Sequence, residues 1–364
     1  MIETSYHNNR LIIQSQDVEP GEVSWRSPSN LALVKYWGKH GKQLPRNPSV
    51  SFTLEQAFTD FTIEWKTKTS TERDISLALY FDMVRNEAFE SALIKKMEGL
   101  TDIFPFLNQL DMTVHTSNSF PHSSGIASSA SSMSAMALCL CTMEDVFFNT
   151  LEDDEAFDQK ASYVARLASG SASRSIYGTA AVWGETGHVP GSSDLFAVPV
   201  EGNFHPIFKT YQNAILVVSA GTKAVSSSVG HGLMEDNPFA EPRYAQARQR
   251  FSAMMEALYK GDTERFGSIV EQEALTLHAL MMASNPGYML MEPASITLMK
   301  KIKQFRADTG IQVYYSLDAG PNIHMLYPEA DKEKVMDFII TDLSLQCQNG
   351  LFIDDKVGQG PEQL

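Results

Sequence analysis

Apolar and polar residues change their spacing several times along the chain, and each change marks an element. The first 20 positions are polar apart from one short apolar run at 11–13. From 23 to about 61, short apolar stretches are broken by Gly, Pro and Asn, a pattern of strands and loops. Positions 57–66 alternate and carry Thr, Phe and Ile, so they predict a strand. Helical spacing over 86–100 predicts a helix, and 112–116 a strand. Ile126, Ala130, Met133, Ala137 and Leu140 then recur at helical intervals, which predicts a long helix from 126 to about 143. A second helix is expected at 154–168, and strands at 180–183 and 196–200. The stretch 201–208, with Gly202, Asn203 and Pro206, is the best linker candidate. Beyond it come a strand at 214–219, helices near 242–259, 264–283 and 293–309, a strand at 312–317 and a helix at 331–348. The sum is an α+β chain with an N-terminal extension (1–22) and two domains of similar size, 23–205 and 206–364.

Charge narrows the range of partners. The chain has 29 Lys and Arg against 44 Asp and Glu, a net charge of −15. That argues against nucleic acid, which calls for a basic face. An anionic small molecule stays open, because local Lys, Arg and helix N-termini can outweigh an acidic mean. No run reaches the roughly 18 apolar residues of a membrane helix, so no membrane partner is expected. The polar start lacks the apolar middle of a signal peptide. Cys139, Cys141 and Cys347 are few and odd in number, which suits buried thiols in a reduced, cytoplasmic setting. No Cys/His spacing suggests a metal site. The Met residues fall mostly in predicted helices, as core filler does.

Four segments hold candidate chemistry. SFPHSSGIASSA at 119–130 is a loop of small residues running into a helix. Small side chains let the backbone approach an anion, and the first helical N–H groups lack internal partners. The same composition also serves as an ordinary N-cap. ASGSASRS at 168–175 repeats the theme at a predicted helix start with Arg174, which can grip a carboxylate or phosphate through two parallel hydrogen bonds; the alternative is a plain turn. The stretch 27–51 gathers Lys35, Lys39, His40, Lys42 and Arg46 among Tyr36, Trp37 and glycines, either an anion site or a solvated face. In YYSLDAGPNIHMLY at 314–327, Asp318 ends an apolar strand beside a Gly-Pro turn. That is a turn position, and also a good place for a catalytic carboxylate.

Taken together, KYWGK (35–39), FPHSSGIASSA (120–130), SGSASRSIYG (169–178) and LDAGPN (317–322) resemble the GHMP kinase superfamily, and within it the diphosphomevalonate decarboxylase family. KAVSSSVG (223–230) and KVGQGP (356–361) are weaker matches. The resemblance covers roughly 23–361. It implies a GHMP kinase fold, with an N-terminal domain like domain 2 of ribosomal protein S5, a ferredoxin-like C-terminal domain and an active site in the cleft between them. It implies ATP-dependent decarboxylation of mevalonate 5-diphosphate to isopentenyl diphosphate, through phosphorylation of the 3-hydroxyl. Asp318 would then contact that hydroxyl as base or orienter, with Lys35 beside it and Arg174 on the substrate carboxylate. Tyr36, Lys39, Ser169, Ser171 and Ser227 would touch the substrate or its diphosphate. Ser123, Ser124, Gly125, Ala127, Ser128 and Ser129 would hold the ATP phosphates, with Mg²⁺ carried mainly on phosphate oxygens and water. A homodimer is also implied.

The chain departs from the family pattern at three places. Asn47-Pro48-Ser49 stands where Asn-Ser-Ser is usual, Ser228 where some members have Arg, and His122-Ser123-Ser124 where Thr-Ala-Ala is common. Relatives acting on mevalonate 5-phosphate, relatives that only phosphorylate the 3-hydroxyl, and a catalytically silent GHMP-fold binding protein are the alternatives. Retention of Lys35, Arg174 and Asp318 favours the decarboxylase.

Overall fold

Two antiparallel-rich sheets, each backed by helices, make up the molecule. The computed structural model describes residues 6–14, 18–70, 74–121, 126–151, 153–200, 202, 204–221 and 225–364. Strand Gly21–Val34 pairs along the long strand Ser49–Thr67, which in turn pairs with Leu110–Asn118 over its second half and with Ala180–Trp183 over its first. Ser76–Phe81 lies parallel to Leu110–Asn118 at the far side. The second sheet runs Tyr314–Ser316, Ile323–Tyr327, Gln212–Leu216, Phe352–Lys356, antiparallel throughout.

Helix Ser128–Phe148 is the spine of the first half. Its small residues let it press against strand Gly21–Val34: the hydroxyls of Ser27 and Ser134 meet at 2.6 Å. It is long and apolar enough to cross a bilayer, contrary to the sequence expectation, but it packs inside the fold against that strand and helix Asp154–Ala168. Cys139 and Cys141 on it are buried, free thiols. In the second half, helices Ala240–Lys260 and Thr263–Met282 pack on each other, and the second lies on the strand Tyr314–Ser316. Gly267 allows that contact, since a Cβ there would sit 2.1 Å from the Tyr314 ring.

Two features are not announced by the pattern. Within the N-terminal extension, Leu11 is buried in the first core, and the Ile13 N–H donates to Gln109 Oε1 at 2.9 Å. The two halves are also sewn together late in the chain. Val357 bridges Leu54, and Glu362–Gln363 adds an edge strand to Gly21–Val34, with Trp25 opposite Gln363.

Candidate active site

A cavity of about 480 Å³ opens between the two halves. Its floor is laid by the end of strand Gly21–Val34. The strand stops at Val34, and Lys35 follows with its side chain pointing into the second half. Lys35 Nζ donates to Asp318 Oδ1 at 2.7 Å and to Ser316 Oγ at 2.9 Å. Lys35 is 2% exposed, so this is a pairing in low dielectric, where charges interact strongly.

The Lys35 backbone is held from both sides. Its N–H donates to Glu273 Oε2 at 2.8 Å, and its carbonyl accepts from Asn47 Nδ2 at 3.2 Å and Arg243 at 3.3 Å. Glu273 is fully buried and bound by both Arg243 and Arg250. Burial alone would raise its carboxyl, but the two guanidiniums outweigh this and hold it below the ordinary range. Asp318 is positioned from behind by His278, whose Nε2 meets the Asp318 carbonyl at 3.1 Å. Burial pushes His278 down to about 4, so the ring is neutral and donates that bond.

Arg174 forms the opposite wall. The helix Asp154–Ala168 ends just before it, and 170–176 is a 3₁₀ run rather than the start of an α-helix. Its guanidinium is buried and donates to three neutral acceptors: Ser51 Oγ at 3.0 Å, Ser49 Oγ at 2.8 Å and Asn30 Oδ1 at 3.2 Å. Desolvation lowers its pKa to about 10, opposed by the charge of Asp318, and it stays protonated at neutral pH. The Pro48 departure leaves these contacts in place, since Asn47 still reaches Lys35 and Ser49 still reaches Arg174.

Lys39 and Tyr36 line the same cavity beside Arg174, as do Ser169, Ser171 and Ser227. So do Ala127, Ser128 and Ser129 at the start of helix Ser128–Phe148. Ala127 takes a left-handed conformation (φ 50°) and provides no side-chain cap. The Ala130 N–H donates back to the Ala127 carbonyl at 2.7 Å, and Ala127, Ser128 and Ser129 stand at the cavity wall. Ser123, Ser124 and Gly125 lie outside the described residues. Sequence reasoning missed Lys96, His231, Glu273 and His278. Lys96 lines the cavity and donates to the Ala168 carbonyl. Glu273 and His278 did leave a signal: both interrupt the apolar stripe of a helix that buries Ala274, Leu277 and Met281.

Among the described residues no group of three His, Cys, Asp or Glu could hold a metal ion. Among the described residues the one acid lining the cavity is Asp318, already bound by Lys35. Lysines, an arginine, hydroxyls and an uncapped helix start suit phosphate groups, and a magnesium ion would arrive on those phosphates.

This two-lobed α+β architecture, with a Ser-rich helix start facing a Lys–Asp pair across a cleft, is that of a GHMP kinase-type enzyme. The diphosphomevalonate decarboxylase-like N-terminal domain model matches residues 27–196, and the mevalonate 5-diphosphate decarboxylase C-terminal domain model matches 213–362. The diphosphomevalonate decarboxylase of Candida albicans is 30% identical over 329 residues, 87% of each chain. That of Saccharomyces cerevisiae is 30% identical over 333 residues, 87% of this chain and 80% of the yeast one. The mevalonate diphosphate decarboxylase of Staphylococcus aureus superposes with a TM-score of 0.79 at 26% identity, covering 95% of this chain and 98% of that one. A protein designated MDDEF, solved in complex with MVAPP, AMPPCP and magnesium, gives the same TM-score and identity over 95% of this chain and 99% of its own. The chain belongs to the diphosphomevalonate decarboxylase family.

Proposed function

We propose that the chain decarboxylates mevalonate 5-diphosphate at the expense of ATP, releasing isopentenyl diphosphate, ADP, phosphate and CO₂. The observation that carries this is the placing of two cations in one cavity with different duties. Lys35 is spent on Asp318. Arg174, buried among neutral acceptors, has a full charge to offer an anionic group of the substrate.

The chemistry needs both. A tertiary hydroxyl is a poor leaving group until it is phosphorylated; loss of the phosphate then leaves positive charge at C3, and the carboxylate departs as CO₂. Asp318 accepts the hydrogen of the 3-hydroxyl or orients it, a contribution of about 10²–10⁴-fold. Lys35 pairs with Asp318 and balances charge at the reacting centre. Arg174 fixes the carboxylate in line with the bond that breaks. Tyr36, Lys39, Ser169, Ser171 and Ser227 hold the remainder of the substrate. Ala127, Ser128 and Ser129 receive the ATP phosphates. Bound magnesium supplies neutralisation of phosphate charge.

The test is to incubate the protein with ATP and Mg²⁺ and, separately, mevalonate, its 5-phosphate and its 5-diphosphate, following phosphate and CO₂. Release of both from the 5-diphosphate is expected. CO₂ from the 5-phosphate alone would reassign the substrate, a change that Ser228 on the cavity wall makes worth checking. Phosphoryl transfer without CO₂ would make the protein a 3-kinase, and no turnover of any substrate would leave a binding protein. The family also gives the expectation of a homodimer, which sedimentation velocity tests.

A further inference from the structure

The imidazole of His231 lines the active-site cavity, and no motif had marked it. It is held tightly. Its ring lies 4.4 Å from that of Tyr36 and 4.6 Å from that of Trp37. The neighbouring Gly230 packs so close to Trp37 and the Tyr288 hydroxyl that a Cβ there would approach to 2.5–2.6 Å. The residue itself is 9% exposed.

One ring nitrogen is already committed. His231 Nδ1 accepts the Gly38 N–H at 3.0 Å. Burial, aided by the charge of Lys39, pushes the imidazole down to about 3, so the ring is neutral. A neutral imidazole whose Nδ1 accepts must carry its proton on Nε2. That N–H has no acceptor among the described residues, and the buried Tyr36 hydroxyl beside it has no partner either. With Lys39 close by, donating to Gln43 Oε1 at 2.9 Å, this end of the cavity gathers the donors of His231, Tyr36 and Lys39. The acid that lines the cavity among the described residues, Asp318, is engaged by Lys35.

We propose that His231 is a direct substrate contact, donating its Nε2–H to the phosphate end of the mevalonate substrate alongside Tyr36 and Lys39. This rests on the function proposed above. A neutral donor there recognises the phosphate without adding fixed charge, and the Gly38 bond sets the direction in which it points.

Two variants separate substrate contact from packing. His231→Asn keeps an acceptor near the Nδ1 position, and with it the Gly38 bond, but removes the donor that reaches the cavity. His231→Gln places an amide N–H near the Nε2 position and gives up the Gly38 bond. In steady-state assays, His231→Asn should raise KM for mevalonate 5-diphosphate about tenfold, as loss of one hydrogen bond to a charged acceptor does, while KM for ATP moves far less. His231→Gln should recover most of that affinity. In the unmodified protein, the ¹⁵N signal of His231 Nε2 should shift on addition of mevalonate 5-diphosphate without nucleotide, a measurement that needs no variant to fold. The proposal is overturned if KM stays at the unmodified value in His231→Asn, if the change falls on ATP, if Gln does no better than Asn, or if the signal does not move. Absence of turnover by the unmodified protein would instead strike the functional reading.

Discussion

At the scale of single residues, the site depends on the company each charge keeps. Lys35 and Asp318 are a close pair, so replacing Asp318 by Asn keeps an amide oxygen for Lys35 Nζ but removes the base and leaves the buried ammonium without its counter-charge. Turnover should fall by at least about 10³-fold, since base and charge-stabilising roles go together. Calorimetry should still detect binding of nucleotide and mevalonate 5-diphosphate; near-normal activity would remove Asp318 from the reaction. Arg174→Ala should lower kcat by ~10²-fold or more with little effect on KM for ATP, and a loss confined to ATP would contradict its place on the carboxylate. Lys35, Arg174 and Asp318 could be read from the sequence because each sits in a short run of distinctive neighbours. Glu273, His278 and His231 could not. Each acts on a residue brought close only by folding: Glu273 on Lys35, 238 positions away, and His231 on Gly38, 193 positions away.

At the scale of elements, ends that carry their own punctuation were easiest to place. Helix Asp154–Ala168 starts where the Asp153 carboxylate accepts the Ala156 N–H, and Pro293–Thr309 starts at a Glu292 capping box and stops at Gly310 in the left-handed region. Both match the predicted bounds. The strand Ser76–Phe81 was not anticipated, because its parallel partner comes after an intervening helix and nothing local announces the pairing. The expected helix 331–348 holds only as Lys332–Phe338 before passing into π and 3₁₀ turns. Asp355 shows how elements are tied across the two sheets. Its buried carboxylate accepts the N–H groups of Glu55, Gln56 and Ala57 at 2.8–2.9 Å, where the long strand breaks register. Asp355→Ala leaves these donors without their partner, and urea unfolding should show a loss of about 3 kcal/mol or more. A loss under 1 kcal/mol would mean water replaces the carboxylate.

Over the whole molecule, three histidines buried among the described residues make stability depend on pH. Desolvation pushes His231 to about 3, and His278 and His324 to about 4. In the unfolded chain each titrates near 6.5, so on acidification the unfolded state takes up protons that the folded state refuses. Stability is therefore intact above about pH 6.5 and declines as the pH falls toward 4, by roughly 2 kcal/mol per histidine at pH 5. Urea midpoints between pH 7.5 and 5 should fall accordingly, and a flat profile would show that the rings accept protons in place.

The edge strand Glu362–Gln363 has a consequence during synthesis. Strand Gly21–Val34 is made early, but its hydrogen-bonding edge at Trp25 and Arg26 is closed only when residues more than three hundred positions later emerge. Asp318 must likewise be translated before Lys35 has a partner. A nascent chain on the ribosome thus carries an open sheet edge and an unpaired buried-site lysine for most of its elongation. That edge is where chaperone binding, or mispairing between neighbouring nascent chains, would act first.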